Sequence, residues 1–361
     1  MGSILCVVGA RPNFMKMAPI MAALRDLRPL LTLSLIHTGP HYAKTMNHQY
    51  FEALGIPQPD INLGVGSGSH AIQTAEVMRR FEPVLDAEPP SAVLVVGDVN
   101  STLACALVAS KKGIPVIHVE AGLRSFDRTM PEEINRILTD QISDLLFITE
   151  SSGRANLLRE GIVESRIHFV GNVMIDTLRR NLERATPLSA GYAVLTLHRP
   201  SNVDDPAILS TLLETVLKIS HRLPVIFPMH PRTRAMIERF GLEGMLDVPE
   251  LLQLPPMGYL EMLGLMKDAR VMLTDSGGIQ EETTALGVPC ITLRNNTERP
   301  ITVEEGTNTI AGQDPERILA AFEDILRSGG KAGRIPELWD GQAATRIAAA
   351  IHGWLENGSK R

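Results

Sequence analysis

Short apolar runs rich in β-branched residues recur along the chain, each followed by a longer stretch with helical spacing. In the first half the runs are Ile4–Val8, Leu33–His37, Ala92–Val96, Val116–Val119, Leu145–Thr149 and Ile167–Val170. In the second half they are Ala193–Leu197, Val225–Met229, Leu251–Leu254, Val271–Thr274, Cys290–Leu293 and Thr309–Ala311. Runs that stay apolar instead of alternating suit strands buried on both faces, and strand–helix alternation builds βαβ units on a parallel sheet. At roughly 150 residues per domain, 361 residues suit two domains. The pattern predicts an α/β protein of two doubly wound parallel-sheet domains, with no sequence repeat between them. The polar stretch Asn181–Gly191 reads as the linker, and the last amphipathic segment, Gln342–Leu355, fits against either domain.

The unusual polar residues fall just after the apolar runs, in "GARPN", "HTGPH", "GDVNST", "EAGLRS", "LHRPSN", "MHPRTR", "TDSGG" and "RNNTERP". Open α/β sheets bind ligands outside the carboxyl ends of their strands. Two such sheets facing each other would gather these loops around one interdomain cleft, the expected active site.

Composition narrows the chemistry. With 44% hydrophobic and 21% charged residues, the chain has the make-up of an ordinary soluble globular protein. A formal net charge of −6 argues against broad binding to nucleic acid or a membrane surface, so any anion site is built locally. Apolar runs such as Ala92–Val96 fall far short of the roughly 18 residues of a membrane span. The opening "MGSILCVVGARPN" lacks a basic n-region and a long apolar core, and Cys6 stands where a myristoylation signal has Ser or Thr. These features lead us to expect a cytoplasmic protein. Cys6, Cys105 and Cys290 are scattered in apolar surroundings and read as buried thiols of a reducing compartment.

Asp275-Ser276-Gly277-Gly278 lies between an apolar run and a helix-like segment. A helix N-terminus offers unpaired N–H groups and a positive dipole end, which suits a phosphate; a plain structural turn is the alternative. The stretch is neither a G-x-G-x-x-G fingerprint nor a P-loop, which counts against NAD and ATP. Of Glu281 and Glu282, one reads as a first-turn glutamate and the other as an acceptor for both hydroxyls of a ribose. Arg11, Lys16, His198-Arg199 and His230-Pro231-Arg232 follow strands and together suit a diphosphate, although each alone reads equally as a solvated surface group.

The acids carry a second signal. Asp98 follows one strand, Glu120 ends the next, and Glu132 and Glu133 follow Pro131. Asp98 also fits a helix N-cap, and the glutamate pair also fits a helix start. Glu120, however, ends an apolar run, where an unpaired charge is costly. Several carboxylates near a bound diphosphate suggest proton transfer, with environments that push their pKa values apart. No H-E-x-x-H occurs, and His118 beside Glu120 has no evident third ligand, so no metal is expected.

The stretches "GARPNFMKMAPI", "VLVVGDVNSTLACAL", "IPVIHVEAGLRS", "MPEEINR", "VGNVMIDTL" and "LTDSGGIQEETTALGVPCITLRNNTERP" occur in colinear order. Together they resemble the non-hydrolysing UDP-N-acetylglucosamine 2-epimerases from about Ile4 to Ile351. The resemblance implies a GT-B-like fold of two Rossmann-type domains. Residues 1–173 would carry the catalytic acids, residues 174–342 would bind UDP, and helix 343–361 would return to the first domain. It implies cytoplasmic interconversion of UDP-GlcNAc and UDP-ManNAc for cell-surface polysaccharides, by a homodimer without cofactor. It further implies elimination of UDP to an enzyme-bound 2-acetamidoglucal, followed by re-addition. By similarity Asp98, Glu120, Glu132 and His198 match the essential catalytic groups. Arg11, Lys16, Ser276, Gly277, Gly278 and Glu282 match UDP-binding positions, with Glu282 on the ribose, and His230 joins them as a UDP-binding candidate by its place after a strand.

Two loops depart from the common bacterial pattern. Gly39-Pro40-His41 replaces Gly-Gln-His, and His198-Arg199-Pro200-Ser201-Asn202 replaces His-Arg-Arg-Glu-Asn. In the family these loops help form a second, activating UDP-GlcNAc site, here with His41 and Arg199. Proline lacks an N–H and fixes φ, so weaker activation is expected. Competing readings are a hydrolysing relative that releases ManNAc and UDP, an epimerase of a modified UDP-sugar, a GT-B glycosyltransferase and a non-catalytic nucleotide-sugar sensor.

Overall fold

The computed structural model describes residues 2–27, 31–39, 58–185 and 191–358. They form two compact units, residues 1–177 with 337–361 and residues 178–336.

The first unit holds a seven-stranded sheet in the order β3-β2-β1-β4-β5-β6-β7. Its strands are β1 (Ser3–Val8), β2 (Thr32–His37), β3 (Ile61–Asn62), β4 (Ala92–Val96), β5 (Val116–Ala121), β6 (Leu145–Ile148) and β7 (Ile167–Phe169). Every pairing is parallel. Side chains alternate between faces along a strand, and both faces are buried. Ile4, Cys6 and Val8 of β1 join Ala92, Leu94 and Val96 of β4 in one core, while Leu5, Val7, Val93 and Val95 join a second. The helix Ala343–Gly358 belongs to the first of these cores: Ala344, Ile347 and Ile351 are buried with Phe14, Met17 and Met21 of the helix Arg11–Leu27.

The second unit repeats this plan with a six-stranded sheet in the order β10-β9-β8-β11-β12-β13. The strands are β8 (Ala193–Thr196), β9 (Val225–Pro228), β10 (Leu251–Leu254), β11 (Val271–Thr274), β12 (Cys290–Thr292) and β13 (Asn308–Ile310), again all parallel. Ala193, Leu195, Val271 and Leu273 face one core; Tyr192, Val194 and Met272 face the other.

Both sheets reverse direction of winding beside their first strand, between β1 and β4 and between β8 and β11. That switch point opens a crevice at the carboxyl ends, where doubly wound sheets bind ligands. The loops and helix starts there carry Lys16 and Asp98 in the first unit, and His198 and Asp275 to Gly278 in the second.

Every apolar run named above carries a strand, and β3, only two residues long, is the one the pattern did not reveal. The units divide at 177/178 and 336/337, a few residues from 173/174 and 342/343. Hydrogen bonds account for the difference: the Thr177 hydroxyl donates to Met15 O at 2.6 Å, and the buried Trp339 indole donates to Thr149 O at 3.1 Å. The three cysteines are buried, and burial pushes the Cys6 and Cys290 thiols up to about 12. Among the described residues no helix is long and apolar enough to cross a membrane.

Candidate active site

In the first unit the chain leaves β1 through a loop pinned by Asn13. Its side-chain oxygen accepts from Gly9 N (3.1 Å) and Ala10 N (2.9 Å), and its amide donates to Val96 O at the end of β4 (3.2 Å). This ties the "GARPN" turn to the strand that precedes Asp98. Lys16, one turn further, is buried and forms an ion pair with Glu120. Its ammonium also lies against Gly97, where an added Cβ would stand 3.6 Å from Nζ. The bare backbone of Gly97 thus lets Lys16 lie beside the two acid-bearing strand ends.

Glu120 is held unusually. The β5–β6 register shifts between Val119 and Ala121, and Glu120 has φ +74°. A non-glycine residue in the left-handed region costs about 1–3 kcal/mol and persists only where its surroundings fix it. The bulge turns the Glu120 carboxylate onto Lys16 while Val119 and Ala121 stay buried.

Asp98 does not cap the following helix, Asn100–Lys111, whose N-cap position is Val99. Its carboxylate instead pairs with Arg136 at 2.5 Å, and its carbonyl accepts from Asn135 at 2.9 Å. Both partners lie on the helix Pro131–Gln141, which buries an unusual face of Glu133, Asn135, Arg136, Thr139 and Asp140. Arg136 also pairs with Glu133 (2.7 Å), which accepts from Ser125 N and Phe126 N. Burial would raise the Glu133 carboxyl, but these backbone and guanidinium donors outweigh it and hold the group below the ordinary carboxylate range. Glu133 is therefore a structural anion, while its neighbour Glu132 stands half-buried on the first turn.

Arg11 begins the helix Arg11–Leu27. His41 and Pro40 lie outside the described residues.

In the second unit Asp275 ends β11 and organises the loop after β8. It accepts from His198 N (3.0 Å), Arg199 N (2.9 Å) and the Asn202 amide (3.2 Å), and pairs with His198 Nδ1 at 2.8 Å. Burial raises Asp275, but the His198 contact and the two backbone donors bring it below its ordinary value. His198 is thereby fixed with Nδ1 on Asp275, leaving its half-exposed ring edge for chemistry. The His230 ring lies 5.6 Å from it; burial first, then the His198 charge, lowers His230. His230 Nδ1 accepts from Arg232 N at 3.2 Å, so Nε2 is its available nitrogen.

The helix Gly277–Leu286 starts beside these groups, and the Ser276 hydroxyl caps none of its N–H groups. A side chain at Gly277 would displace the ion pair behind it: a Cβ would stand 2.5 Å from Arg299 Nη1 and 2.8 Å from Glu298 Oε1. Behind the turn Arg299 pairs with Glu281 (2.7 Å) and Glu298 (2.5 Å), and Arg294 pairs with Glu298 (2.8 Å). Glu281 is thus committed to an internal ion pair, and the two glutamates part company. Glu282 accepts from the Tyr259 hydroxyl at 2.8 Å, and burial pushes its carboxyl up to about 7. Arg199 approaches Glu298 at 4.0 Å. Pro200 occupies the first position of the short helix Pro200–Val203, where a missing N–H breaks no helical bond.

Motif reading weighed His118 only as a metal ligand and passed over Asp140, Arg136, Tyr259 and the anchoring role of Asp275. The one available signal was the i, i+3, i+7 spacing of Glu133, Arg136 and Asp140, which puts three charges on one helix face.

The architecture agrees with comparisons to known proteins. The sequence profile of the UDP-N-acetylglucosamine 2-epimerases matches residues 25–352. The chain is 45% identical to a UDP-N-acetylglucosamine 2-epimerase of Methanococcus maripaludis, over 89% of this chain and 91% of that one. It is 42% identical to a UDP-2,3-diacetamido-2,3-dideoxy-D-glucuronate 2-epimerase of Pseudomonas aeruginosa, over 96% and 98%. Its fold superposes with a TM-score of 0.91 on the crystal structure of the Methanocaldococcus jannaschii UDP-GlcNAc 2-epimerase in complex with UDP-GlcNAc and UDP, at 42% identity, covering 97% of this chain and 99% of that one. With two GT-B-like α/β domains and a near full-length match in sequence, the chain belongs to the UDP-N-acetylglucosamine 2-epimerase family.

Proposed function

We propose that the protein interconverts UDP-GlcNAc and UDP-ManNAc without net hydrolysis. A carboxylate removes the proton at C2, and the electron pair left behind forms the C1–C2 double bond as UDP departs from C1. The bound pair is then 2-acetamidoglucal and UDP. A proton returns to C2 on the opposite face and UDP re-adds at C1. Asp98, Glu120 and Glu132 serve as acids and bases of this cycle, with His198 assisting. The UDP is held by Arg11, Lys16, His230, the Ser276-Gly277-Gly278 turn and, at the ribose, Glu282. The observation that carries the reading is Glu120, strained onto Lys16 beside the strand end that presents Asp98. A diphosphate competes for the same ammonium and would free the carboxylate as substrate binds. On this reading the enzyme works in the cytoplasm as a homodimer, needs no cofactor, and feeds cell-surface polysaccharide synthesis.

A second substrate is favoured by a specific observation, the 42% identity to the diacetamido-glucuronate epimerase over nearly the whole chain. Incubation with each UDP-sugar, followed by separation of products, tests both readings. Conversion of UDP-GlcNAc to UDP-ManNAc with UDP conserved supports the first. Conversion of the diacetamido sugar alone moves the assignment to the second, and free ManNAc with UDP overturns retention.

A further inference from the structure

Below the acids of the first unit lies a buried polar chain that the proposed chemistry does not use. His118 and Asp140 are both fully buried. His118 Nε2 donates to Gly97 O at 2.9 Å, and Nδ1 meets Asp140 Oδ1 at 2.7 Å. Asp140 Oδ2 accepts from Gly122 N at 3.1 Å and pairs with Arg124 at 2.8 Å. Arg124 in turn is held by Glu160 at 2.6 Å. Gly97 immediately precedes Asp98, and Gly122 comes two residues after Glu120. Gly97, Glu120 and Gly122 have φ of +69°, +74° and +76°. The chain of bonds therefore ends on the two left-handed backbone segments that aim the acids.

A histidine that merely filled the core would be more cheaply replaced by an apolar side chain, since buried charges are costly unless fully paired. Here every donor and acceptor of the ring and carboxylate has a partner, and the backbone partners Gly97 and Gly122 directly follow different strands, β4 and β5. Resting on the epimerase reading above, we propose that His118, braced by Asp140, is a positioning residue that sets the spacing between Asp98 and Glu120 without touching substrate.

The test is a pair of substitutions with two readouts. His118→Asn keeps a donor for Asp140 but is too short for Gly97 O; His118→Gln reaches further and replaces the second bond. His118→Asn is expected to lower kcat about 100-fold, the usual effect of a misplaced catalytic group, with KM and UDP affinity within twofold. His118→Gln should recover at least a tenth of the activity. Phe81→Leu, a core change remote from the acids, should lower Tm yet leave kcat within twofold. A crystal structure of His118→Asn should find Glu120 out of its left-handed conformation or Asp98 parted from Arg136. Unchanged kcat, or acids unmoved in that structure, would overturn the proposal. Wild-type protein inert towards both UDP-sugars would bring down the epimerase reading alone, and the structure would still decide the positioning role.

Discussion

Glu120 combines three things that rarely coincide without function: a left-handed backbone, burial, and an ion pair to a buried lysine. Glu120→Gln keeps the shape and removes the base. It should cut turnover by 10²–10⁴-fold, the usual worth of a general base, while calorimetry finds UDP affinity within a few-fold of wild type. Retained turnover would remove Glu120 from the mechanism. Glu282 offers a different test because its carboxyl is raised from 4.5 to about 7. Between those two pH values the folded chain holds a proton that the unfolded chain has lost. The stability this supplies is complete below 4.5 and fades as pH rises through 7. Glu282→Gln should flatten that slope and leave the variant more stable than wild type by roughly 2 kcal/mol at pH 8, measured by urea unfolding across pH. An unchanged slope would mean the carboxylate is solvated. At this scale the sequence disclosed the acid at the end of an apolar run, because an unpaired charge there is costly. It hid the partners: Lys16, Arg136 and Asp140 are brought to Glu120, Asp98 and His118 only by the winding of the sheet.

Among elements, the helix Pro131–Gln141 inverts the usual pattern, burying charges while Ile134 and Leu138 stand 46% and 47% exposed. Its polar face is occupied in holding Asp98 and His118, which is why amphipathicity alone would have placed it backwards. The turn before the helix Gly277–Leu286 reads in sequence as a phosphate motif, but its first glycine is packed against the ion pairs behind it. Gly277→Ala should displace Arg299 or the turn, weakening UDP binding at least tenfold, about 1.4 kcal/mol, and lowering Tm. Normal affinity would show that the turn does not hold UDP. The short helix at Pro200 accepts proline without strain, so at this loop a loss of activation would come from the missing Arg and Glu side chains. We expect hyperbolic UDP-ManNAc kinetics without added UDP-GlcNAc; a strict requirement for the activator would contradict this.

For the whole molecule, periodicity sufficed for two doubly wound sheets, because strands buried on both faces read as continuous apolar runs. It missed β3, whose two residues, Ile61 and Asn62, are too short and too polar to register. The unit boundaries depended on single hydrogen bonds from Thr177 and Trp339, which no local pattern records. The same plan recurs in both units, with chemistry at each switch point: carboxylates and a lysine in one, histidines and an open helix end in the other. On the proposed mechanism the carboxylates move a proton at C2 while UDP is retained. Proton NMR of UDP-GlcNAc incubated with the enzyme in D₂O tests it most directly. Both UDP-sugars carrying deuterium at C2, with UDP conserved, is the predicted result. Epimerisation without deuterium entering C2, or no exchange at all, would contradict it.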